Sequence, residues 1–414
     1  MLSESVTSRV FHRSPPTYDV HSTAPWWEAL DPNFYRSSEQ FDMGKVDRLK
    51  VLSTAAAGEV FKTCASTLLA ATILPKSART DMLRTWADQD SPYLAAARTG
   101  DPSVLFGEPP NGITIKTSKA WGPHFRPKDG FRQWMRFESP YKPYDPALRR
   151  RYATDDRNRV VHALHWRHSD RPRPTIIGIH GFNADPFMIN QELFALPWFY
   201  ELGCDVLLFT LPFHGPRRPK RSLFSGQHFF LGGPGQVNES FAQAICDLRV
   251  IVRHLLDDLG VPKVGVTGIS LGGNTAALLA ATEPRLHFSM PNVPVVSLGD
   301  LLLEWRPIGN ILQWKLKQAG ASIQDLRAAF AAVSPLSYPS LLPKEHLFII
   351  AGAADRMAPP KQARLLHDHW QQCGIHWFPG NHIVHFDRGN YLRAMARVMN
   401  NIEFLDDDRL STAA

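Results

Sequence analysis

The chain has 414 residues, 44% of them hydrophobic and 21% charged, and a net charge of +7 at pH 7. That balance is ordinary for a soluble globular protein, and the length suits one large domain with an extension, or two domains. The positive charge is spread out and forms no aromatic-interleaved basic array, so no nucleic-acid partner is expected. Cys64, Cys204, Cys246 and Cys373 are widely spaced without a C-x-x-C. They read as free thiols in a reducing, cytoplasmic setting.

Met1 to Phe11 is polar and lacks the apolar core of a signal peptide. Residues 1 to about 40 are rich in Pro, Ser, Trp and Tyr and read as irregular. From Lys45 to Ala97 the pattern is helical: Val46, Leu49 and Leu52, then Phe61, Ala65, Leu68 and Leu69 recur at i, i+3, i+4 spacing. Val51 to Pro75 is the longest apolar-looking stretch. Glu59 and Lys62 interrupt it, so it is expected to be a buried helix and no membrane span. The whole of 1–125 is read as a mostly helical extension without a catalytic motif.

The texture changes at Gly130. Phe131–Phe137 and Arg159–Trp166 are strand-like, and Thr175–His180 is almost entirely apolar, as expected for a parallel strand buried on both faces. That strand ends in His180-Gly181-Phe182-Asn183. Asp205–Thr210 is the next strand, followed by Pro212-Phe213-His214-Gly215 and the basic run Arg217-Arg218-Pro219-Lys220-Arg221. The run is expected to be a solvated loop, or else a source of attraction for an anionic substrate. Gly232-Gly233-Pro234-Gly235 reads as a mobile loop before a helix. Asn238 or Ser240 is the expected cap of that helix, and Phe241 to Leu259 supplies a continuous apolar face until Gly260 and Pro262 end it.

The β-branched run Val264–Thr267 then enters Gly268-Ile269-Ser270-Leu271-Gly272-Gly273, and a small, apolar helix-like run follows. Strand, sharp turn and helix in succession predict a serine in a strained backbone conformation. Glycine is needed on both sides because a side chain there would strike the neighbouring strand or helix. Leu286–Met290 and Val293–Val296 suggest another strand. Residues from about Gly299 to Tyr338 break the alternation with Trp305, Trp314 and Phe330 among many aliphatic side chains. His346–Ile350 leads to Gly352-Ala353-Ala354-Asp355, and Ile375–Phe378 leads to Pro379-Gly380-Asn381-His382. A last amphipathic helix carries Tyr391, Met395, Met399 and Ile402.

The G-x-S-x-G turn resembles the nucleophile elbow of the α/β-hydrolase superfamily, and the later Asp and His turns follow in the order that superfamily uses. The resemblance covers residues from about 130 to the end. It implies an α/β fold with a mostly parallel central sheet flanked by helices, a catalytic domain over 126–414, and a helical cap at about 299–341. It also implies a triad of Ser270, Asp355 and His382, with the backbone N–H groups of Phe182 and Leu271 as an oxyanion hole. His180 is expected to be structural. His385 is the weaker candidate for the base, and the group His382, His385 and Asp387 lacks the spacing of a zinc site. No metal or other cofactor is expected.

The implied activity is a serine esterase acting on a small-molecule carboxylic ester through an acyl-enzyme, with acyl transfer or amide cleavage as the alternative use of the triad. The serine at the elbow argues against epoxide hydrolase or dehalogenase chemistry, which the superfamily runs with aspartate there. The aromatic loops predict an enclosed pocket for a hydrophobic or aromatic group, with Phe213, Trp305 and Trp314 as substrate contacts. Whether the protein is a monomer or a homo-oligomer stays open.

Overall fold

The structure is a computed structural model that describes residues 10–12, 24–77, 90–153, 156–183 and 185–405. Its centre is a nine-stranded sheet in the order β11-β10-β9-β8-β6-β7-β5-β4-β3. The run from β11 (Gly374–Phe378) through β10 (Phe348–Gly352), β9 (Phe288–Asn292), β8 (Val264–Ile269), β6 (Thr175–Ile179) and β7 (Asp205–Phe209) is parallel. Beyond β7 the sheet continues antiparallel through β5 (Val160–His168), β4 (Gly130–Glu138) and β3 (Lys116–Lys119). The parallel centre follows from the strands themselves. β6, β7 and β8 are buried at every residue, which suits a sheet covered by helices on both faces.

Two cores result, one on each side of the sheet. One takes Ile177, Val266 and the apolar stripe of the helix Pro234–Arg253; the other takes Ile176, Val206 and the final helix Arg388–Asn401. Several elements depart from the sequence reading. The helix expected to begin at Asn238 or Ser240 starts a turn earlier, with Pro234 in its first turn and Gly233 at φ 80° as N-cap. Proline suits that position because its missing N–H would have no helical partner there. Asn238 and Ser240 are therefore interior residues, and their side chains bond back to Pro234 O and Gln236 O. Of the two apolar runs around Pro291, the first forms β9, while Val293–Val296 lies beyond its end, with Val293 at φ 42°. β3 and a small antiparallel ladder of β1 (Val10–His12) with β2 (Phe41–Met43) carry too few apolar residues to stand out by pattern.

The long helix Lys45–Ser77 is real, but its opening turns are not buried as expected. Val46, Leu49, Leu52 and Val60 are all exposed, Leu49 at 69%. In the opening turns Asp47 and Thr54 are buried instead, so periodicity points to the wrong face there, while further on Ala65 packs against the first core. The remainder of the expected helical stretch, 78–89, lies outside the described residues. No helix among the described residues is long and apolar enough to cross a membrane.

The segment before the long helix shares the first core with the central sheet. Trp26, Trp27, Leu30 and Phe34 are buried in it, and the Trp26 indole N–H donates to Ser337 Oγ at 2.9 Å. Two buried cations clasp this segment. Arg327 pairs with Asp300 at 2.8 Å and donates to the carbonyls of Leu30 and Asp31. Lys361 Nζ donates to the carbonyls of Phe34, Tyr35 and Ser37 at 2.8–3.0 Å and pairs with Glu304 at 3.1 Å. Burial of a charge is tolerable only when it is this fully satisfied.

Candidate active site

Ser270 sits between β8 and the helix Leu271–Ala280, with φ 57° and ψ −112°. That left-handed backbone is strained for a residue with a side chain. Close approach on both sides enforces it. A Cβ on Gly268 would lie 2.1 Å from Gly272 O, and one on Gly272 would lie 2.0 Å from Ile179 O. The Ser270 N–H donates to Asn292 O at the end of β9, which anchors the turn to the next strand.

Asp355 lies in the turn after β10 and is almost fully buried. Its Oδ1 accepts the N–H groups of Met357 and Ala358, both at 2.8 Å, and its Oδ2 accepts from His382 Nδ1 at 2.7 Å. Because a carboxylate occupies the Nδ1 side, the imidazole carries its proton there and leaves Nε2 as the basic nitrogen. His385 is differently placed. Its Nδ1 meets Tyr391 Oη at 3.1 Å, its ring packs on Phe378, and burial pushes its pKa down to about 4. Asp387 pairs with Lys50 at 3.2 Å, so the three polar residues of this loop face three different partners.

Sequence reasoning missed what holds the histidine loop. The Asn381 side chain accepts the N–H groups of Ile383 and Val384, at 2.9 and 2.7 Å, and donates to Thr54 O at 2.9 Å. The first two bonds form a local asparagine turn that Asn381 could have signalled. The third joins the loop to the middle of the long helix, and no local pattern announces it.

The turn after β6 packs directly on the elbow: a Cβ on Gly181 would sit 3.4 Å from Ser270 Cβ. The His180 ring fixes this turn. Its Nε2 accepts the Leu211 N–H at 3.1 Å, so its Nδ1 carries the proton donated to Gly181 O at 2.8 Å. Burial holds its pKa below the usual histidine value and keeps it neutral. The N–H groups of Phe182 and Leu271 have no partner among the described residues.

A cavity of about 50 Å³ opens at Ser270, lined by Phe182, Phe230, Leu271, Trp305 and Met357 with aliphatic side chains of residues 295–302. It holds on the order of four waters, far less than the aromatic wealth of these loops suggests. Most of those rings belong to the core. Phe213 is buried at φ 63° against Tyr152 and does not line the cavity. Phe229 and Phe330 are buried too, and Trp314 is 58% exposed on the outer side of the helix Ile308–Ala319. Of the three predicted substrate contacts, only Trp305 reaches the cavity; its indole N–H donates to Met357 O at 3.0 Å. The basic run divides as well. Arg217 is fully buried and pairs with Asp247 at 2.8 Å, while Lys220 and Arg221 are exposed. All four cysteines are free thiols.

A mostly parallel sheet, a strained serine elbow, an acid turn and a histidine turn, each after its own strand, place this chain in the α/β-hydrolase superfamily, to which it belongs. Within it, the family described as alpha/beta hydrolase domain containing 18 matches residues 114–300. An uncharacterized protein of Mycobacterium tuberculosis strain H37Rv is 30% identical over 317 residues, which is 74% of this chain and 72% of the relative. Among solved structures, acetyl xylan esterase 1 from Thermoanaerobacterium sp. JW/SL YS485 aligns with a TM-score of 0.51 at 14% identity, covering 76% of this chain and 93% of that one. The acetyl xylan esterase from Paenibacillus sp. R4 gives 0.52 at 12% identity, with 76% and 94% covered. At such identities these two structures are similar in fold alone.

Proposed function

We propose that the protein is a serine esterase that cleaves small-molecule carboxylic esters through an acyl-enzyme. The supporting observation is the 2.7 Å bond from His382 Nδ1 to a buried Asp355, on the same edge of the sheet as a serine strained at φ 57°. Serine is a poor nucleophile at neutral pH. His382 Nε2 takes its proton as Oγ attacks the ester carbonyl, and Asp355 stabilises the imidazolium and fixes its orientation. The N–H groups of Phe182 and Leu271 receive the developing oxyanion, each lowering the barrier by about 3 kcal/mol. His382 then protonates the departing alcohol, and water releases the acid by the same steps.

The 50 Å³ cavity favours a short apolar acyl group. Each added methylene gains about 0.8 kcal/mol until the space is full. Fluorophosphonate labelling of the wild type and of Ser270→Ala, together with a p-nitrophenyl ester series, tests the reading. Labelling that survives the substitution, or no ester turnover at all, would refute it.

A further inference from the structure

A second and much larger cavity, about 570 Å³, is lined by Asp355 but by neither Ser270 nor His382. The region 37–62 forms one side of it, and Ala353 to Lys361 of the acid turn and the helix that follows form the other. The two cavities are lined by neighbouring residues of the same two segments. Trp305 and Met357 line the small cavity at Ser270, while their chain neighbours Glu304 and Arg356 line the large one. The Trp305 indole N–H donates to Met357 O and ties these two segments together. The small cavity has room for an acyl group only, so the alcohol half of an ester must lie outside it, and the adjoining chamber has the volume of an ordinary ligand site.

The charges of the chamber are unequal in their commitments. Its four carboxylates are engaged: Asp355 by His382, Glu304 by Lys361, and Glu39 and Asp42 in contacts of their own. Burial raises the Glu304 pKa to about 7, which weakens its negative charge further. Lys62 pairs with Glu59 at 2.7 Å, and Lys361 is saturated by three carbonyls and Glu304. Arg48 and Arg356 remain. Both line the chamber, and neither side chain has an ion-pair or hydrogen-bond partner among the described residues. A guanidinium offers a rigid fork of donors that matches a carboxylate or a phosphate.

We propose that this chamber binds an anionic group on the alcohol half of the substrate, with Arg48 and Arg356 as its ligands. The inference rests on the esterase reading and narrows it to esters of a short acyl group with an alcohol that carries a carboxylate or phosphate. It also gives the N-terminal region a place in substrate recognition, since Arg48 belongs to the long helix.

The test compares 4-acetoxybenzoate with its neutral match, methyl 4-acetoxybenzoate, on the full chain. In the variant Arg48→Gln with Arg356→Gln, kcat/KM for the anionic ester should fall at least tenfold more than for the neutral ester. In the wild type, the advantage of the anionic ester should shrink as salt is raised. Equal losses on both esters would overturn the proposal. Arg48→Gln alone, far from the triad in sequence, should shift the same ratio about threefold and covers the case in which Arg356→Gln disturbs the acid turn. Titration with the product 4-hydroxybenzoate needs no turnover: the double variant should bind it at least tenfold more weakly, and equal affinity would overturn the chamber. Absence of turnover and of fluorophosphonate labelling in the wild type would instead refute the esterase reading.

Discussion

The serine elbow and the histidine loop do the same kind of work by opposite means. At the elbow the chain holds itself: glycine positions with backbone atoms barely 2 Å from any added Cβ leave one path open. The histidine loop is held by side chains reaching elsewhere, from Asn381 to Thr54 O, from His385 to Tyr391, and from Asp387 to Lys50. Steric exclusion is written into a few adjacent residues. Cross-chain support is spread over more than three hundred positions, and its failure should be graded where that of the elbow is abrupt.

The largest effect should come from the elbow. Ser270→Ala should lower kcat on the order of 10⁴-fold or more with the melting temperature almost unchanged, as measured by steady-state kinetics and calorimetry. Gly272→Ala places a methyl group 2.0 Å from Ile179 O, so the turn must shift. We expect a loss of at least about 3 kcal/mol in denaturant unfolding, or failure to fold, together with loss of labelling at Ser270. Survival of both would mean that the elbow is less rigid than the close approaches imply.

Asn381→Ala should fall between the two regions in effect. It leaves Thr54 O without its donor and the N–H groups of Ile383 and Val384 uncapped. A cost of about 2 kcal/mol is expected, with kcat reduced while fluorophosphonate still labels the serine. His385→Phe probes the same loop by pH. Its pKa of about 4 in the folded chain lies below the unfolded value of about 6.5. The unfolded state therefore binds the proton more readily in between, and stability is lost as pH falls from about 6.5 toward 4. Replacing His385 should flatten that limb by up to one proton per molecule, whereas an unchanged slope would assign it to the other buried histidines. The smallest effect should be that of Lys50→Gln, which breaks a partly exposed ion pair with Asp387 and should cost no more than about 1 kcal/mol.

The same contrast decides what could be read from the chain. The elbow and the parallel strands were legible because steric and periodic rules act over a few residues. The Asp355 and His382 turns were legible because glycines and prolines punctuate the ends of β10 and β11. The buried face of the opening turns of the long helix was not, since Asp47 and Thr54 point inward there and Leu49 and Leu52 outward. Nor could the small size of the cavity be foreseen. Phe213, Phe229 and Phe330 look like pocket residues in sequence, and only packing shows that they belong to the core. Arg217 was hidden for a similar reason: its partner Asp247 lies on a helix thirty residues away.

The clasp formed by Arg327 and Lys361 bears on where the protein can be cut. The matching family segment begins at residue 114, and a shortened chain starting there would keep Ser270, Asp355 and His382. It would also keep both cations while discarding the carbonyls of residues 30–37 that they grip. Each cation would keep its carboxylate, Asp300 or Glu304, but its other donors would lose their acceptors, at about 1–3 kcal/mol for each group left buried and unsatisfied. The boundary at which sequence similarity starts is therefore not a boundary at which the folded body can be divided: the opening segment acts as an internal counter-ligand, without which the helices that carry Arg327 and Lys361 would have to repack or take up water.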